Sequence, residues 1–377
     1  MRRLLLVAPD APPAPGGIAR FLDGWLRWLP DSDWSVLSST PGPPQHAGHP
    51  VRRLPRVPLP GPAGAAADRA LISAAGLAAA AARRPDAVVI GVQSATIPGL
   101  LAQRLLGVPA VFLGYGRELG ADDPWTRIAG RRAALTVTIS GGSADVLRAA
   151  GVPERRLLIA PPGIEPLDRP APAAPPDGPP TAITVTRLDA PHKALEDVAA
   201  AVRHARRRVP DLRWSIVGSG EPYPAARAAI DAAVEEGWAT LHGRVDDDER
   251  DRLLEQATVF VLATKPLADG RVGEGFGIVF LEAGARGTPS VAPDADGMRD
   301  AIARDQGGLL VAPGDPAAMG DAIARIASDP ALRSRLSTGA RAHAEAHAWP
   351  TVLAPVAAAL DRMIAGDRAP ARADIPR

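Results

Sequence analysis

The sequence predicts an α/β protein built from two domains, and three observations lead to that fold class. Short apolar runs typical of buried strands alternate with helical segments along most of the chain. This alternation starts twice, at 3–8 and at 182–185, and a proline-rich stretch separates the two series. The chain of 377 residues has the length of two ordinary domains. Alternating strands and helices are typical of parallel sheets with helical crossovers.

The opening of the chain has the pattern of a Rossmann-like half. An apolar run at 3–8 predicts a buried strand, 9–15 a loop, and Gly16-Gly17 the start of an amphipathic helix. Trp25 and Trp28 recur on that helix at roughly helical spacing. We expect this helix to lie in the core, with a role as a membrane anchor as the alternative.

The remaining predicted elements follow the same rhythm. In the first half we expect strands at 34–38, 85–90, 109–113 and 135–140, helices at 68–84 and 97–106, and a proline-rich loop at 41–62. In the second half we expect strands at 182–185, 212–217, 240–245, 257–263, 290–292 and 308–311, and helices from 278, at 315–326 and at 349–364. The predicted domains are 1–166 and 181–348, joined by a proline-rich linker at 167–180, with a final helix and tail at 349–377.

Composition excludes several classes of protein. A net charge of +1 argues against a protein that coats nucleic acid. The absence of cysteine excludes disulfides and thiolate metal sites. The first residues are too soon interrupted by Pro9-Asp10 for a signal peptide, and no apolar run approaches a membrane span. We therefore expect a cytoplasmic protein, which would work at the inner face of the membrane if its acceptor is a lipid.

The most informative stretch of the chain is 271–289. Gly273 and Gly275 flank Glu274, and an apolar run from Gly277 onward predicts a helix that carries Glu282. A glycine loop that opens a helix presents free N–H groups and suits a phosphate. An acid within an apolar run costs several kcal/mol of desolvation unless it has polar partners. The alternative is a glycine turn followed by a helix with a solvated glutamate.

Two cations stand at the start of the second strand–helix series. Arg187 follows the strand at 182–185, and Lys193 lies six residues further, near the expected helix start. This placement suits a diphosphate leaving group, with a solvated basic turn as the alternative. Among 43 basic residues only Lys193 and Lys265 are lysines, which indicates positions where a compact ammonium is preferred to a guanidinium.

Glu274-Gly-Phe-Gly-Ile-Val-Phe-Leu-Glu282 resembles the E-x7-E signature of retaining glycosyltransferases of family 4. These enzymes have the GT-B fold, in which two Rossmann-like domains face each other across a central cleft. The resemblance implies that Glu274 lies by the donor sugar and that Glu282 holds the ribose. Arg187 and Lys193 match the two cations of the family's Gly-Arg-Leu-x-x-x-Lys-Gly motif, which bind the nucleotide diphosphate. Thr186 and Ala194 stand in place of the motif's glycines.

The resemblance implies further donor or acceptor contacts. Tyr115 stands where relatives carry an active-site histidine, if Gly116 and Glu118 are aligned correctly, and a tyrosine carries no charge near neutral pH. Lys265 stands where relatives carry Ser-Arg. The other residues implied are Gly16, Gly17 and Arg20 in the first loop, Glu118, Gly218 and Gly220, the base-contacting Arg244 and Val245, and Gly275, Phe276, Gly277 and Ile278 in the glycine loop.

The implied activity is transfer of a hexose from a nucleotide sugar to an acceptor hydroxyl, with retention and with neither cofactor nor metal. The form of the motif, which is similar to that of phosphatidylinositol mannosyltransferases, favours GDP-mannose as the donor. UDP-glucose and UDP-N-acetylglucosamine are the alternative donors. Three classes of acceptor stay open: a glycan, a lipid and a small molecule. A lipid acceptor would bring contact with the membrane surface, for which Trp25, Trp28 and Arg52-Arg53 are candidates.

Competing functions follow from single features. Tyr115 favours a catalytically silent protein or partner subunit that binds sugar nucleotides. A GT-B phosphorylase is disfavoured because Glu282 keeps its ribose role. Asp-x-Asp pairs at 31–33, 246–248 and 294–296 resemble a metal site, but 246–248 suits a helix cap better. His343 and His347 lack a third ligand in sequence and are expected on a solvated helix face.

Overall fold

A computed structural model describes residues 1–14, 16–55, 61–116, 119–120, 123–167, 178–265, 273–295 and 297–366. The chain divides into two compact units, one of residues 1–163 with 349–377 and the other of residues 164–348. Most of the predicted linker at 167–180 lies outside the described residues. Each unit is an α/β domain around its own sheet.

The sheet of the first unit has the order β3-β4-β2-β1-β5-β6-β7-β8 and is parallel except for the pairing of β3 with β4. Its strands are β1 (Arg2–Val7), β2 (Ser32–Ser38), β3 (Gln45–His46), β4 (His49–Arg53), β5 (Ala87–Ile90), β6 (Ala110–Gly114), β7 (Leu135–Thr138) and β8 (Leu157–Ile159). Its helices before residue 163 are α1 (Gly17–Trp28), α2 (Gly61–Arg83), α3 (Thr96–Leu106), α4 (Pro124–Arg132) and α5 (Gly141–Ala149).

The sheet of the second unit is parallel throughout, in the order β11-β10-β9-β12-β13-β14. Its strands are β9 (Thr181–Val185), β10 (Arg213–Val217), β11 (Ala239–Gly243), β12 (Val259–Val261), β13 (Ser290–Pro293) and β14 (Gly308–Val311). Its helices are α6 (Leu195–Ala205), α7 (Pro224–Glu235), α8 (Asp247–Gln256), α9 (Ile278–Ala285), α10 (Met298–Ala301), α11 (Pro316–Ser328) and α12 (Pro330–Ala346).

Helix α13 (Trp349–Ile364) packs within the first unit, against α1. The Trp349 ring lies 6.0 Å from the Phe21 ring, centroid to centroid. A Cβ on Gly24 would come within 2.2 Å of Trp349, so this position on α1 needs glycine to admit the indole. At the far end of α13, Asp361 accepts two hydrogen bonds from the Arg2 guanidinium, at 2.7 and 2.6 Å.

The prediction of a continuous loop at 41–62 is wrong. Strand β4 lies inside that range and pairs in parallel with β2, from Val36 opposite Val51 onward. Its proline does not interrupt the pairing, because Pro50 precedes the register and its missing N–H breaks no bond to β2. Helix α2 also begins earlier than predicted, at Gly61.

Two side chains that were candidates for the membrane surface have partners within the first unit. Trp25 is 1% exposed and packs against Phe21, with ring centroids 5.7 Å apart. The Arg53 guanidinium donates to the carbonyls of Pro12 and Pro43. In the part of the chain that the structure describes, no helix is both long and apolar enough to cross a membrane.

Candidate functional site

The predicted site residues of the second unit gather at one edge of its sheet. All six strands are parallel, so their carboxyl ends share an edge, which is where open α/β sheets bind ligands. Each of four neighbouring strands is followed there by predicted residues: β9 by Arg187, β10 by Gly218 and Gly220, β11 by Arg244 and Val245, and β12 by Lys265.

Glycines after β10 hold the segment that carries Arg187. A Cβ on Gly218 would stand 1.8 Å from the Thr186 carbonyl oxygen, and one on Gly220 would stand 2.8 Å from the Asp189 carboxyl carbon. The Leu188 N–H donates to the Ser219 carbonyl at 2.8 Å, which fixes the two loops together. Arg187 itself is exposed, and it makes no ion pair with any residue the structure describes. Its guanidinium therefore faces solvent at the sheet edge.

Lys193 and Glu274 form an ion pair at this edge. The Lys193 ammonium donates to Glu274 Oε2, and the two side chains are 14% and 16% exposed. Burial raises the pKa of the Glu274 carboxyl, but the Lys193 charge and hydrogen bond, together with the nearby His192, outweigh it and leave that pKa below its ordinary value. Glu274 is therefore ionised at neutral pH, and it neutralises the cation predicted to bind the diphosphate.

The glycine loop before α9 is packed closely from behind. A Cβ on Gly297 would lie 2.1 Å from the Gly275 carbonyl oxygen, and the Gly297 N–H donates to the Glu274 carbonyl at 3.3 Å. Gly277 caps α9 with φ +91, a left-handed conformation that favours glycine. Phe276 is buried against the ring of His347. The loop is thus anchored by its backbone, and α9 begins at Ile278 as predicted.

The turn between Lys193 and α6 is held by a second cluster. The Lys265 N–H donates to the His192 carbonyl at 2.8 Å, and its ammonium lies 3.0 Å from carboxylate oxygens of both Glu196 and Asp197. The Tyr223 hydroxyl donates to Glu196 and accepts from the Leu195 N–H at 2.9 Å. The Lys265 charge is therefore committed to the first turn of α6 and serves to position the turn that carries Lys193.

Ala194 occupies a strained position in this turn. It has φ +44 and ψ +48, is fully buried, and stands where the family motif has glycine. The left-handed region costs a residue with a Cβ about 1–2 kcal/mol, while glycine costs about 0.5–1 kcal/mol in backbone entropy.

Substitution Ala194→Gly should therefore raise the free energy of unfolding slightly, by up to about 1 kcal/mol, since the relief of strain exceeds the added entropy. Denaturant titration measures this change, and Ala194→Val serves as the matched variant that should destabilise the protein. A loss of more than about 1 kcal/mol in Ala194→Gly would show that packing of the methyl group outweighs its strain.

Glu282 on α9 faces an arginine that the sequence analysis missed. Arg250 Nη1 lies 3.8 Å from Glu282 Oε1, with the two side chains 14% and 15% exposed. Burial lowers the pKa of Arg250, but Glu282, Asp251 and Asp247 outweigh it, and the pKa lies above its ordinary value. This cation lowers the desolvation cost of an acid in an apolar helix. One signal in the sequence could have indicated Arg250: it lies four residues after Asp246, in the first turns of a helix whose N-cap region had been predicted.

The first unit carries the remaining predicted residues. Gly16 and Gly17 are exposed at the start of α1, and the Arg20 side chain is exposed one turn further. Tyr115 is 5% exposed, lies edge-on to the Phe21 ring, and donates its hydroxyl proton to the Gly91 carbonyl at 2.7 Å. Glu118 lies outside the described residues. The Tyr115 ring is therefore part of the core, with its hydroxyl already bonded to the backbone.

In two of the candidate metal pairs one carboxylate has another partner. Asp246 caps α8 by accepting from the Glu249 N–H at 2.8 Å, and Asp294 pairs with Arg299 and Arg304. Asp296 lies outside the described residues. Among the residues that the structure describes, no group of three His, Cys, Asp or Glu side chains could hold a metal ion.

The expectation of a solvated face for His343 and His347 is wrong. The two rings lie 4.4 Å apart, His347 is 8% exposed, and His343 faces the Asp300 carbonyl at 3.1 Å. Burial, with His347 beside it, lowers the pKa of His343 to about 4. Burial also lowers the pKa of His347, so both rings are neutral at pH 7. The pair packs α12 onto the body of the second unit.

Comparisons with known proteins match both halves of the chain. A family model described as Glycosyltransferase Family 4 matches residues 15–166, and one described as Glycosyl transferases group 1 matches residues 179–329. The GDP-mannose-dependent alpha-(1-6)-phosphatidylinositol monomannoside mannosyltransferase of Mycobacterium tuberculosis is 30% identical over 364 residues, which cover 87% of this chain and 90% of that protein.

Two further comparisons concern a part of the chain and the fold. The D-inositol 3-phosphate glycosyltransferase of Saccharomonospora viridis is 37% identical over 173 residues, covering 43% of this chain and 37% of that protein. The structure of sucrose-phosphate synthase from Thermosynechococcus elongatus superposes with a TM-score of 0.78 at 19% identity, covering 97% of this chain and 100% of that one.

Proposed function

Because the chain belongs to glycosyltransferase family 4 and has the GT-B fold, we propose that it transfers a hexose from a nucleotide sugar to an acceptor hydroxyl with retention at the anomeric carbon. The observation that carries this proposal is the ion pair of Lys193 with Glu274 on the sheet edge that also bears Arg187. The two cations there can bind the departing diphosphate, and the carboxylate can bind the sugar attached to it.

The proposed donor is GDP-mannose, and the proposed acceptor is a hydroxyl of an inositol-containing glycolipid. Support comes from the mycobacterial relative, which is named for both and aligns with most of this chain. The Glu274–Glu282 stretch, similar to that of phosphatidylinositol mannosyltransferases, supports the same donor. The identity of the donor is therefore the first property to test.

In the proposed reaction the bond from the anomeric carbon to the diphosphate breaks while a bond from the acceptor oxygen forms on the same face. The acceptor proton passes to the departing phosphate oxygen. Arg187 and Lys193 stabilise the charge that develops on the diphosphate, together with the amides of Gly275 to Ile278. Since Lys193 is paired with Glu274, the donor diphosphate competes for the ammonium and leaves the carboxylate for the hexose hydroxyls.

The proposal is tested by incubating the purified protein with GDP-mannose, UDP-glucose or UDP-N-acetylglucosamine and a phosphatidylinositol mannoside. We expect release of GDP coupled to formation of a mannosylated lipid. NMR of the product should show that the α configuration of the donor is retained. An inverted product would overturn the retaining mechanism. Absence of transfer from all three donors, with each donor bound, would favour the silent protein described next.

A second candidate function is a sugar-nucleotide-binding subunit without catalysis, and Tyr115 is the observation that favours it. Its ring is buried and its hydroxyl proton is donated to the Gly91 carbonyl, so it supplies no positive charge where relatives carry a histidine. Lys193, Glu274 and Arg187 nonetheless remain at the sheet edge. Turnover of the donor by the isolated chain separates this candidate from the enzyme.

Substitution Arg187→Ala should weaken binding of the nucleoside diphosphate by roughly tenfold or more, because a charge-assisted bond contributes about 1.5–3 kcal/mol. The melting temperature should stay unchanged, since Arg187 is exposed and pairs with no described residue. Arg207→Ala, another exposed arginine of the second unit, is the matched control for calorimetry. Unchanged affinity in Arg187→Ala would remove its assigned role.

Metal independence is also part of the proposal, since Arg187, Lys193 and the loop amides supply the positive charge that a divalent ion would bring. Treatment with EDTA should leave the transfer rate unchanged. A loss of transfer that manganese restores would contradict this and return attention to the Asp-x-Asp pairs.

A further inference from the structure

The turn that carries Lys193 depends on contacts from outside it. Pro191–Lys193 form one turn of 3₁₀ helix, and Ala194 joins this turn to α6 with φ +44 and ψ +48. A residue with a Cβ adopts that left-handed conformation only where its surroundings hold it there. The place of the Lys193 ammonium is therefore set by the contacts that fix the start of α6.

Tyr223 supplies one of these contacts from the loop after β10. It lies at the N-cap position of α7, and its ring packs against the core of the second unit. Its hydroxyl accepts a hydrogen bond from the Leu195 N–H at 2.9 Å and donates one to the Glu196 carboxylate. Leu195 begins α6, and the first N–H groups of a helix have no partner within it. Tyr223 thus caps α6 directly after the strained turn.

Lys265, which follows β12, holds the same turn from a different strand end. Its ammonium lies 3.0 Å from carboxylate oxygens of Glu196 and Asp197, and its N–H donates to the His192 carbonyl at 2.8 Å. The Glu196 carboxylate therefore receives the Tyr223 hydroxyl on one oxygen and the Lys265 ammonium on the other. We call Tyr223, Glu196 and Lys265 the α6 anchor, because these side chains tie the start of α6 to the loops after β10 and β12.

The bond between Tyr223 and Glu196 is charge-assisted at neutral pH. Burial raises the pKa of the Glu196 carboxyl, but hydrogen bonds from Tyr223 and from the Glu196 N–H, together with Lys265, outweigh it and leave that pKa below its ordinary value. Burial and the bond to Glu196 raise the pKa of the Tyr223 hydroxyl. Glu196 is therefore ionised while Tyr223 keeps its proton, which makes their hydrogen bond stronger than one between neutral groups.

We propose that Tyr223 is a positioning residue for the donor diphosphate, which acts by holding the turn that presents the Lys193 ammonium. This inference rests on the proposed role of Lys193 in binding that diphosphate. The Tyr223 hydroxyl already has two partners on α6, so its effect on binding passes through the backbone of the turn to Lys193. Lys265 shares this role, since its ammonium is paired with the first turn of α6.

A double-mutant cycle on nucleotide affinity tests this role by calorimetry. Tyr223→Phe removes only the hydroxyl and should weaken binding of the nucleoside diphosphate about fivefold, the usual contribution of one hydrogen bond. In a Lys193→Ala background the same change should alter the affinity less than about twofold, because the group that Tyr223 positions is gone. In an Arg187→Ala background the loss should persist, since Arg187 is held separately, by the bond of the Leu188 N–H to the Ser219 carbonyl. GDP and UDP are both titrated, so the cycle does not depend on which base the donor carries.

Further variants make the test specific to the α6 anchor. Glu196→Ala should reproduce the loss of affinity, and Glu196→Gln, which keeps an acceptor for the Tyr223 hydroxyl, should recover most of it. Ser328→Ala is the matched control, because it removes another part-buried hydroxyl of the second unit, one that donates to the Ala324 carbonyl at 2.7 Å. This control should bind the nucleotides as the unchanged protein does, and the melting temperature of every variant is followed as a measure of folding.

The possible failures of this inference and of the proposed function are distinguishable. Unchanged nucleotide affinity in Lys193→Ala would overturn the inference together with the proposed role of Lys193. A loss in Lys193→Ala without one in Tyr223→Phe would overturn the inference alone. An equal loss from Tyr223→Phe with and without Lys193 would do the same, because it would show that Tyr223 acts on binding independently of that lysine.

Discussion

Substitution Glu274→Ala is expected to lower the rate of hexose transfer by about 100- to 1,000-fold, the usual effect of removing one group that stabilises the transition state. The proposed role of Glu274 is to hold the hexose while its bond to the diphosphate breaks. An interaction made only with the transferred group contributes mainly to the chemical step. The loss should therefore appear in kcat, with a small change in KM for the nucleotide sugar.

The controls for this variant follow from the Glu274–Lys193 ion pair. Removing the carboxylate leaves a largely buried ammonium without its partner, so the melting temperature must be followed as a measure of folding. Glu274→Gln keeps the shape and the hydrogen-bonding capacity and should lose transfer with a smaller effect on stability. Glu235→Ala, an exposed glutamate on α7, is the matched control and should retain full activity. Full transfer by Glu274→Ala would contradict the assigned function.

Substitution Gly218→Ala is expected to have the largest effect on stability, a loss of about 2–4 kcal/mol. Its Cβ would lie 1.8 Å from the Thr186 carbonyl oxygen, which is backbone and cannot move aside without disturbing β9. The Gly218 N–H is also bound to the Gly243 carbonyl at 2.9 Å, so β10 and β11 resist the same displacement. The clash lies between the end of β10 and Thr186, the residue before Arg187.

Thermal unfolding measures this effect, with a melting temperature lower by about 2–4 °C for each kcal/mol in a unit of this size. The neighbouring Ser219→Ala is the matched control, because Ser219 is exposed and its side chain is not required for the backbone bond to Leu188. We expect Gly218→Ala to bind the nucleotide poorly even where it is folded. A melting temperature equal to that of Ser219→Ala would show that the two loops separate without cost.

The positions of several strands in the second unit were predictable from the sequence, because fully buried parallel strands appear as short apolar runs bounded by glycine, proline or a charge. The runs at 182–185, 290–292 and 308–311 became β9, β13 and β14 with boundaries shifted by at most one residue. Strand β4 escaped because Pro50 reads as a loop residue, whereas only the register with β2 shows that its missing N–H is harmless.

The candidate site was predictable as a set of residues, and less so as a set of contacts. The E-x7-E stretch and the two cations were visible in the sequence, yet Lys193 and Glu274 are 81 residues apart and their pairing depends on the fold. Likewise, Arg250 near Glu282 and Lys265 on Glu196 and Asp197 are contacts between elements that no local pattern specifies. Long-range pairs of charges are set by packing, which sequence periodicity does not encode.

The central claim is that Lys193 binds the donor diphosphate, Glu282 the ribose and Glu274 only the hexose. Calorimetric titration of free GDP against the unchanged protein and the three alanine variants tests it most directly. Lys193→Ala and Glu282→Ala should each weaken GDP binding about tenfold or more, through lost charge-assisted hydrogen bonds. Glu274→Ala should bind GDP as tightly as the unchanged protein or more tightly, because Lys193 no longer has a competing partner. An equal loss of GDP affinity in Glu274→Ala and Glu282→Ala would contradict the account.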